Sequence, residues 1–431
     1  MNQYENYMIN NNLKIKWFII LEMILFISGL VLQDFAVFTI GSSGIAYIVL
    51  ICVYLDVRYS YYKNLFQKKS KLLISILVIL AIKLIADKIR IGTPIASIIR
   101  IFMVIYVAYV SYYYIKMIHN KNINKIFYKI LIFTILLLNL YGIYCVIGAN
   151  FKLPWFLSEF CNNPSYGFRS MYDYYGGGWV AEPRIYATFA EPSYYAMFLC
   201  ISIFIIYNIK MNIKMKIGLY GLTLINIYCT YSRSGYIILV YMLASLALYY
   251  ILIKKDILKK FINKNYIYKI GLCISTILPF INMFIMLIAE MYIFNDLSSS
   301  ARTNSSFYYL IKTFESISRF LFGFGHKANQ INYNEKLFDY GVEFMAHNGY
   351  VQVAYEFGWI ILIGGVSLLI FKLYKNISDK NRLLLLVTLI SGLNCFVSIY
   401  YIESFVAIIL VIIASSIFSG EKLFNELEDV E

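Results

Sequence analysis

Residues 217–253 read IGLYGLTLINIYCTYSRSGYIILVYMLASLALYYILI. A single helix of these 37 residues would be about 55 Å long, well beyond the roughly 30 Å hydrocarbon core of a bilayer even with strong tilt. The stretch therefore reads as two membrane spans. The break belongs at Ser232-Arg233-Ser234-Gly235, where an arginine and a glycine interrupt the apolar pattern. That turn puts Arg233 at a membrane face.

The flanking sequence has the same character. Of 431 residues, 61% are hydrophobic and only 14% charged, against about 25% charged in a soluble domain. Apolar runs bounded by charge predict spans near 15–33, 35–55, 71–87, 95–115, 127–148, 191–208, 217–231, 235–253, 269–290, 348–371, 383–398 and 401–418. The expected fold is all-α, a polytopic membrane bundle of about twelve transmembrane helices.

The formal charge of +14 would suggest nucleic acid in a soluble protein. Here lysine and arginine gather in short connections such as Lys254-Lys255 to Lys260, so topology absorbs the charge and no nucleic-acid partner is expected. The same bias places both termini in the cytoplasm and two long connections, about 149–190 and 291–347, outside. Five regions follow: N-terminal helices at 1–148, a first extracytoplasmic loop at 149–190, central helices at 191–290, a second loop at 291–347, and C-terminal helices with a cytoplasmic tail at 348–431. The first span begins at Lys14-Ile15-Lys16 with no cleavage signature after it, which predicts an uncleaved helix. Six of seven cysteines lie in apolar runs, Cys161 alone standing in a polar loop, so no disulfide framework is expected. Richness in Ile, Asn, Lys and Tyr fits a bacterial, AT-rich source.

Inside the second loop, Phe307, Leu310, Ile311, Phe314, Ile317, Ser318 and Leu321 recur at helical spacing, with Lys312, Glu315 and Arg319 elsewhere on the wheel. This predicts an amphipathic helix along the outer membrane surface, ended by Gly323-Phe324-Gly325.

Candidate chemistry sits on that outer side. In Arg184-Ile-Tyr-Ala-Thr-Phe189-Ala-Glu191-Pro192-Ser193, Pro192 suits the first position of a helix, which makes Glu191 its cap. Capping and a role as base or orienting carboxylate both fit Glu191, with Arg184 near an anion at the same helix end. Arg233 either snorkels or grips an anion; its planar fork suits a diphosphate, and Ser232 and Ser234 add hydroxyls. Arg302, in Ser300-Ala301-Arg302-Thr303, precedes the surface helix at headgroup depth, where lipid phosphate is its alternative partner. His347, one of three histidines, stands with Asn348 where the tenth span begins and can take a proton near neutral pH. Glu335, Asp339, Glu343 and His347 recur every four residues, the spacing of metal ligands on a helix, but Gly341 interrupts them and a solvated acidic stretch is the preferred reading. Embedded charges at Glu22, Lys83, Arg100 and Glu356 pair across the bundle or line a path. The aromatic first loop, Tyr166 to Tyr186, suits sugar faces and an interfacial belt about equally.

Together, Arg184 before Phe189-x-Glu191-Pro192-Ser193, Ser232-Arg233-Ser234, Arg302 before Phe322-Gly323-Phe324-Gly325, and His347-Asn348-x-x-Val351-x6-Gly358 resemble the bacterial O-antigen polymerase and ligase family (Wzy-type polymerases, WaaL-type ligases). The resemblance runs from about 184 to 360. It implies a metal-independent glycosyltransferase of the bacterial cytoplasmic membrane, without cofactor, acting on oligosaccharide linked to undecaprenyl diphosphate. By position, Arg184, Arg233 and Arg302 inherit the diphosphate, and Glu191 and His347 the base or orienting roles. Glu191-Pro192-Ser193, where ligases more often carry an asparagine-type motif, favours a polymerase over a ligase. A chain-length regulator and a flippase are the implied partners. A flippase or other transporter is the reading from a different class, although its polar site would be expected near the midplane.

Overall fold

The computed structural model describes residues 13–32, 36–40, 43–60, 70–120, 124–151, 185, 187–189, 192–209, 211–232, 235–240, 243, 280–281, 284–285, 288, 292, 297–333 and 341–376. These belong to two compact units: residues 1–63 with 106–233, and residues 64–105 with 234–431. The spans expected at 383–398 and 401–418 and most of 269–290 lie outside the described residues.

In the first unit, α1 (Leu13–Val31) leads to a short antiparallel hairpin, β1 (Ala36–Ile40) with β2 (Ser43–Ala46), and then to α2 (Tyr47–Ser60). The described elements are otherwise helical, as expected, and the hairpin is a local departure that corrects only the span at 35–55, which becomes helical at Tyr47. Its first half holds Val37, Phe38, Thr39 and Ile40, followed by Gly41 and Gly44, β-branched and aromatic residues around turn formers that favour strand over helix. Apolarity alone does not separate a short strand from a helix. The embedded Glu22 finds its partners here: it is buried on α1, pairs with Arg58 at 2.6 Å, and accepts hydrogen bonds from Tyr54 at 3.0 Å and Tyr59 at 2.7 Å, all on α2.

The later helices of this unit are α5 (Asn124–Phe151), α6 (Pro192–Asn208) and α7 (Ile213–Cys229). Within α5, Lys125–Gly148 is the one described helix both long and apolar enough to cross a membrane; Trp17–Val31, Ile95–Ser111 and Pro192–Tyr207 are shorter apolar helices. The three helices meet at Gly142. Asn226 donates to the backbone and side-chain oxygens of Asn139, both at 3.1 Å, and Tyr195 donates to Leu138 O and Asn226 Oδ1. A glycine lets this polar knot form, because a Cβ at 142 would overlap Asn226 Oδ1 and stand 2.5 Å from the Tyr195 hydroxyl. The break in the quoted sequence stands where expected: α7 ends at Cys229, Tyr231 takes a left-handed φ of 45°, and residues 235–240 are helical again.

The second unit holds α3 (Ser70–Ile91), the beginning of α4 (Ile95–Asn120), α8 (Leu297–Lys312), α9 (Ile317–Phe322), α10 (Ala328–Ile331), α11 (Gly349–Phe357) and α12 (Trp359–Asn376). Two expectations change. The amphipathic helix is two helices, because Thr313 to Glu315 turn the chain and Ser316 caps a new start through Arg319 N. The span at 348–371 is broken at Gly358, whose φ is 88°.

Both breaks meet in one contact. Phe324 N–H donates to Tyr355 O at 2.7 Å and Gly325 N–H to Glu356 O at 3.0 Å, so the 323–325 turn satisfies carbonyls left open at the end of α11. A Cβ on Gly323 would lie 2.5 Å from Glu356 backbone, and one on Gly358 would overlap Leu321 O. Trp359 then packs on Phe320 and Phe314, its indole N–H donating to Thr313 at 3.0 Å. The positive φ values compound the crowding, since a side chain is strained in that region.

Gly358→Ala is expected to destabilise the protein by about 2–4 kcal/mol and Gly142→Ala by about 1–3 kcal/mol. Thermal unfolding in detergent checks both, and a melting temperature within a degree of the parent would contradict the packing described.

Candidate functional site

Helix α8 carries Arg302, Ser305, Ser306 and Tyr309 at spacings that place them on one face. That face grips the irregular segment 342–348. Ser305 Oγ accepts from Glu343 N–H at 2.7 Å, Ser306 donates to Ala346 O, and Tyr309 donates to Glu343 O at 2.9 Å. From α10 and the residues after it, Asn329 donates to Phe344 O at 2.6 Å and Tyr333 to Val342 O at 2.8 Å. Gln352 of α11 accepts from Ala346 N–H at 3.1 Å. A non-repetitive segment thus has its polar backbone satisfied by side chains from three directions, as a buried loop requires.

The outcome of this clamp is the conformation of His347. Its φ is 51°, a left-handed value that costs a non-glycine residue about 1 kcal/mol or more. Its Nε2 lies 2.5 Å from Glu343 Oε2. His347 and Glu343 both remain partly open to the surroundings, at 23% and 36% of side-chain area, so the pair is reachable by a ligand. The hydrogen bond from His347 holds the Glu343 carboxyl below the ordinary carboxylate range; burial opposes this, and the charges of His347 and Arg302 add to it. Arg302 is exposed, one turn before Ser305. It lies within α8 rather than ahead of a surface helix, because the helix starts at Leu297 and not near Phe307.

Asn348 is the N-cap of α11, its Oδ1 accepting from Tyr350 N–H at 3.1 Å and Val351 N–H at 3.3 Å. Behind the loop runs a buried polar chain. Gln352 Nε2 donates to Glu356 Oε1 at 2.6 Å, and Glu356 Oε2 meets His326 Nδ1 at 2.9 Å. His326 N–H donates to Asp87 at 3.0 Å, His326 O accepts from Thr93 at 3.0 Å, and Lys83 pairs with Asp87 at 2.6 Å. Two of the embedded charges, Lys83 and Glu356, thus have partners. Lys327 beside them is held below the usual lysine range by its burial and by the charge of Arg100, with Glu356 opposing.

In the first unit, Ile185 N–H donates to Cys229 O at 3.2 Å, which brings the first signature beside the turn that carries the second. Ser232 is buried there, its N–H donating to Thr230 Oγ1 at 3.2 Å. Phe189 is buried against Tyr195 and Phe198, and Pro192 is the first residue of α6 as its position implies. Arg184, Glu191, Arg233 and Ser234 lie outside the described residues.

Residues 218–366 match the model of a family, Wzy_C, described as O-antigen ligase. This match, over about a third of the chain, supports the O-antigen polymerase and ligase family. No curated protein and no solved structure matches the chain. Members of the family are integral membrane enzymes of bacteria that transfer lipid-linked glycans. The matched stretch contains the Ser232 turn, Arg302, the 323–325 turn, His347 and Gly358, whereas Arg184 and Glu191 precede it.

Sequence reasoning passed over Glu343 as a partner of His347, although the four-residue spacing was visible; with Gly341 at φ 68° the segment is not a helix, yet the two side chains still meet. Ser305, Ser306 and Tyr309 gave no signal, because their partners are backbone atoms 34 to 40 positions along the chain, and Gln352 gave none because its partner Ala346 lies in a segment without regular structure. Gln352→Leu is expected to leave Ala346 N–H and Glu356 short of partners. The cost should be about 1–3 kcal/mol, with faster hydrogen exchange at Ala346; unchanged exchange there would count against the clamp.

Proposed function

We propose that this protein is a glycosyltransferase that joins oligosaccharide repeat units at the outer face of the bacterial cytoplasmic membrane, using undecaprenyl diphosphate as leaving group. The observation that carries this reading is the histidine–carboxylate pair on a loop held, inside the matched family region, by the helix that carries Arg302, whose charge acts on Glu343.

In the reaction, an acceptor hydroxyl loses its proton to His347 as its oxygen attacks the anomeric carbon of the donor sugar. The bond from that carbon to the diphosphate oxygen breaks, and the electron pair leaves with the lipid diphosphate. His347 then returns the proton to solvent or to the departing diphosphate. Arg302 supplies positive charge where the leaving group becomes more negative, and Arg184 and Arg233 are proposed for the diphosphate on the strength of their sequence signatures alone. Ser232 and Ser234 add hydroxyl contacts near Arg233, Glu191 serves as a second orienting or basic carboxylate, and Asn348 sets the start of the helix that follows the base. No metal or cofactor enters these steps.

The lipid tail confines this chemistry to headgroup depth. Ile311, Phe314, Ile317 and Phe322 are exposed around the α8–α9 junction, beside a Lys312–Glu315–Arg319 ion cluster. An apolar patch edged by cations suits the interface of an anionic bilayer, so α8 and α9 would rest on the membrane with Arg302 beside the diphosphate.

The description of the matched family as O-antigen ligase favours a second reading, a ligase that passes the glycan to a lipid A core instead of a growing chain. Deletion of the gene separates the two. A polymerase mutant would keep surface glycans of a single repeat, whereas a ligase mutant would accumulate long lipid-linked chains. Unchanged surface glycan would refute both. For the site, Arg302→Ala should lower kcat about a hundredfold, and Arg302→Lys should recover only part of it because lysine lacks the planar fork. The measurement is release of undecaprenyl diphosphate by the purified chain from lipid-linked repeat units extracted from the deletion strain.

A further inference from the structure

The geometry points to Glu343 as the positioning residue for His347: its carboxylate holds Nε2, so that Nδ1 is the nitrogen that works on the acceptor hydroxyl. This rests on the reading of His347 as the base of a glycosyl transfer.

Three observations carry it. First, the 2.5 Å contact is between Nε2 and Glu343 Oε2, and an ionised carboxylate can only accept, so Nε2 must carry the hydrogen. In the neutral ring the lone pair is then on Nδ1, the tautomer a base needs. Second, Glu343 is fixed at both backbone ends, its N–H on Ser305 and its carbonyl on Tyr309. The carboxylate is therefore presented by a braced residue, and the base, its orienting group and their scaffold form a sequence of contacts familiar from other general bases. Third, the φ of 51° at His347 turns the ring back towards residue 343 in a segment that is not helical. Backbone strain is tolerated where the surroundings over-determine it, and here six hydrogen bonds to residues 342–346 do so.

Among the described residues, the charged and titratable groups facing the pair are Arg302 and the hydroxyl of Tyr309 from α8, and the hydroxyl of Tyr333, which donates to Val342 O. Asn348 and Gln352, contributed by α11 and its cap, are neutral. By the sign of their charges, Glu343 would favour a proton on the imidazole and Arg302, whose charge acts on Glu343, would oppose it. The carboxylate favours the imidazolium that forms when the acceptor proton arrives, and Arg302 limits that preference so that the proton can leave again.

The test needs no substrate at its first stage. Diethyl pyrocarbonate modifies only the unprotonated imidazole, so the rate of His347 modification against pH, followed by mass spectrometry on the full chain in detergent, reports its proton affinity. Glu343→Gln should move the midpoint about one pH unit lower, and Arg302→Gln should move it higher. The acid limb of the pH–rate profile for lipid diphosphate release should follow in the same directions, with kcat falling at least tenfold in Glu343→Gln and KM nearly unchanged. A midpoint that stays in place in both variants would overturn the proposal, as would full kcat in Glu343→Gln. Because Arg302 is exposed, its variant keeps the test decisive if Glu343→Gln fails to fold. His347→Ala distinguishes the two levels: retained turnover would remove the base assignment under the proposed function, while the modification midpoints would still decide whether Glu343 controls His347.

Discussion

Two backbone hydrogen bonds, from Phe324 and Gly325 to the carbonyls of Tyr355 and Glu356, determine much of what the second unit can do. They require main chains to approach more closely than any Cβ at 323 or 358 would allow. Once the turn is seated, His326 is delivered against Glu356 and Asp87, and Phe324 lies on Tyr355 with ring centroids 4.4 Å apart. Glu356 in turn engages Gln352, and Gln352 holds Ala346, the residue before His347. Burying so many polar groups is tolerable because they hydrogen-bond to one another, and a network of that kind specifies one arrangement more strictly than apolar packing does.

The reactive loop draws on that rigidity. Its carbonyls and amides are occupied by serine, tyrosine, asparagine and glutamine side chains, which leaves the Glu343 and His347 side chains as the outward-facing polar chemistry of the segment. Arg302 shares a helix face with the serines that bind the loop. The same helix thus holds the His347 loop and carries Arg302, so under the proposed function a change in its packing would be felt in both roles. Exposed apolar residues on α8, α9 and the turn between them would, under the proposed function, set a resting depth at a bilayer interface.

Much of this was legible along the chain. The length of the 217–253 run required a break, and the described helix ends at Cys229, with helix again at 235–240. Pro192 at a helix start and Asn348 as a cap follow from the missing N–H of one and the short polar side chain of the other. Other features were not legible for definite reasons. The strands at 36–46 are as apolar as a span, the start of α8 at Leu297 lies in a serine-rich stretch of weak helical preference, and the bend at Gly358 shows only when a second backbone is known to press on it. Glu343 was visible as a spacing but not as a contact, because Gly341 interrupts the helix that would have put it beside His347, and the two meet in a non-helical segment instead.

Hydropathy, charge bias and local capping chemistry are carried by neighbours in sequence, and the sequence by itself therefore determined the helical membrane character, the order of the signatures and several of their boundaries. The pairing of His347 with Glu343, the nearness of Arg302, and the Gln352–Glu356–His326–Asp87 chain join residues from 4 to 239 positions apart. Only the tertiary structure decided these, since hydrogen bonds between distant side chains and backbone depend on which surfaces the packed glycines allow to touch.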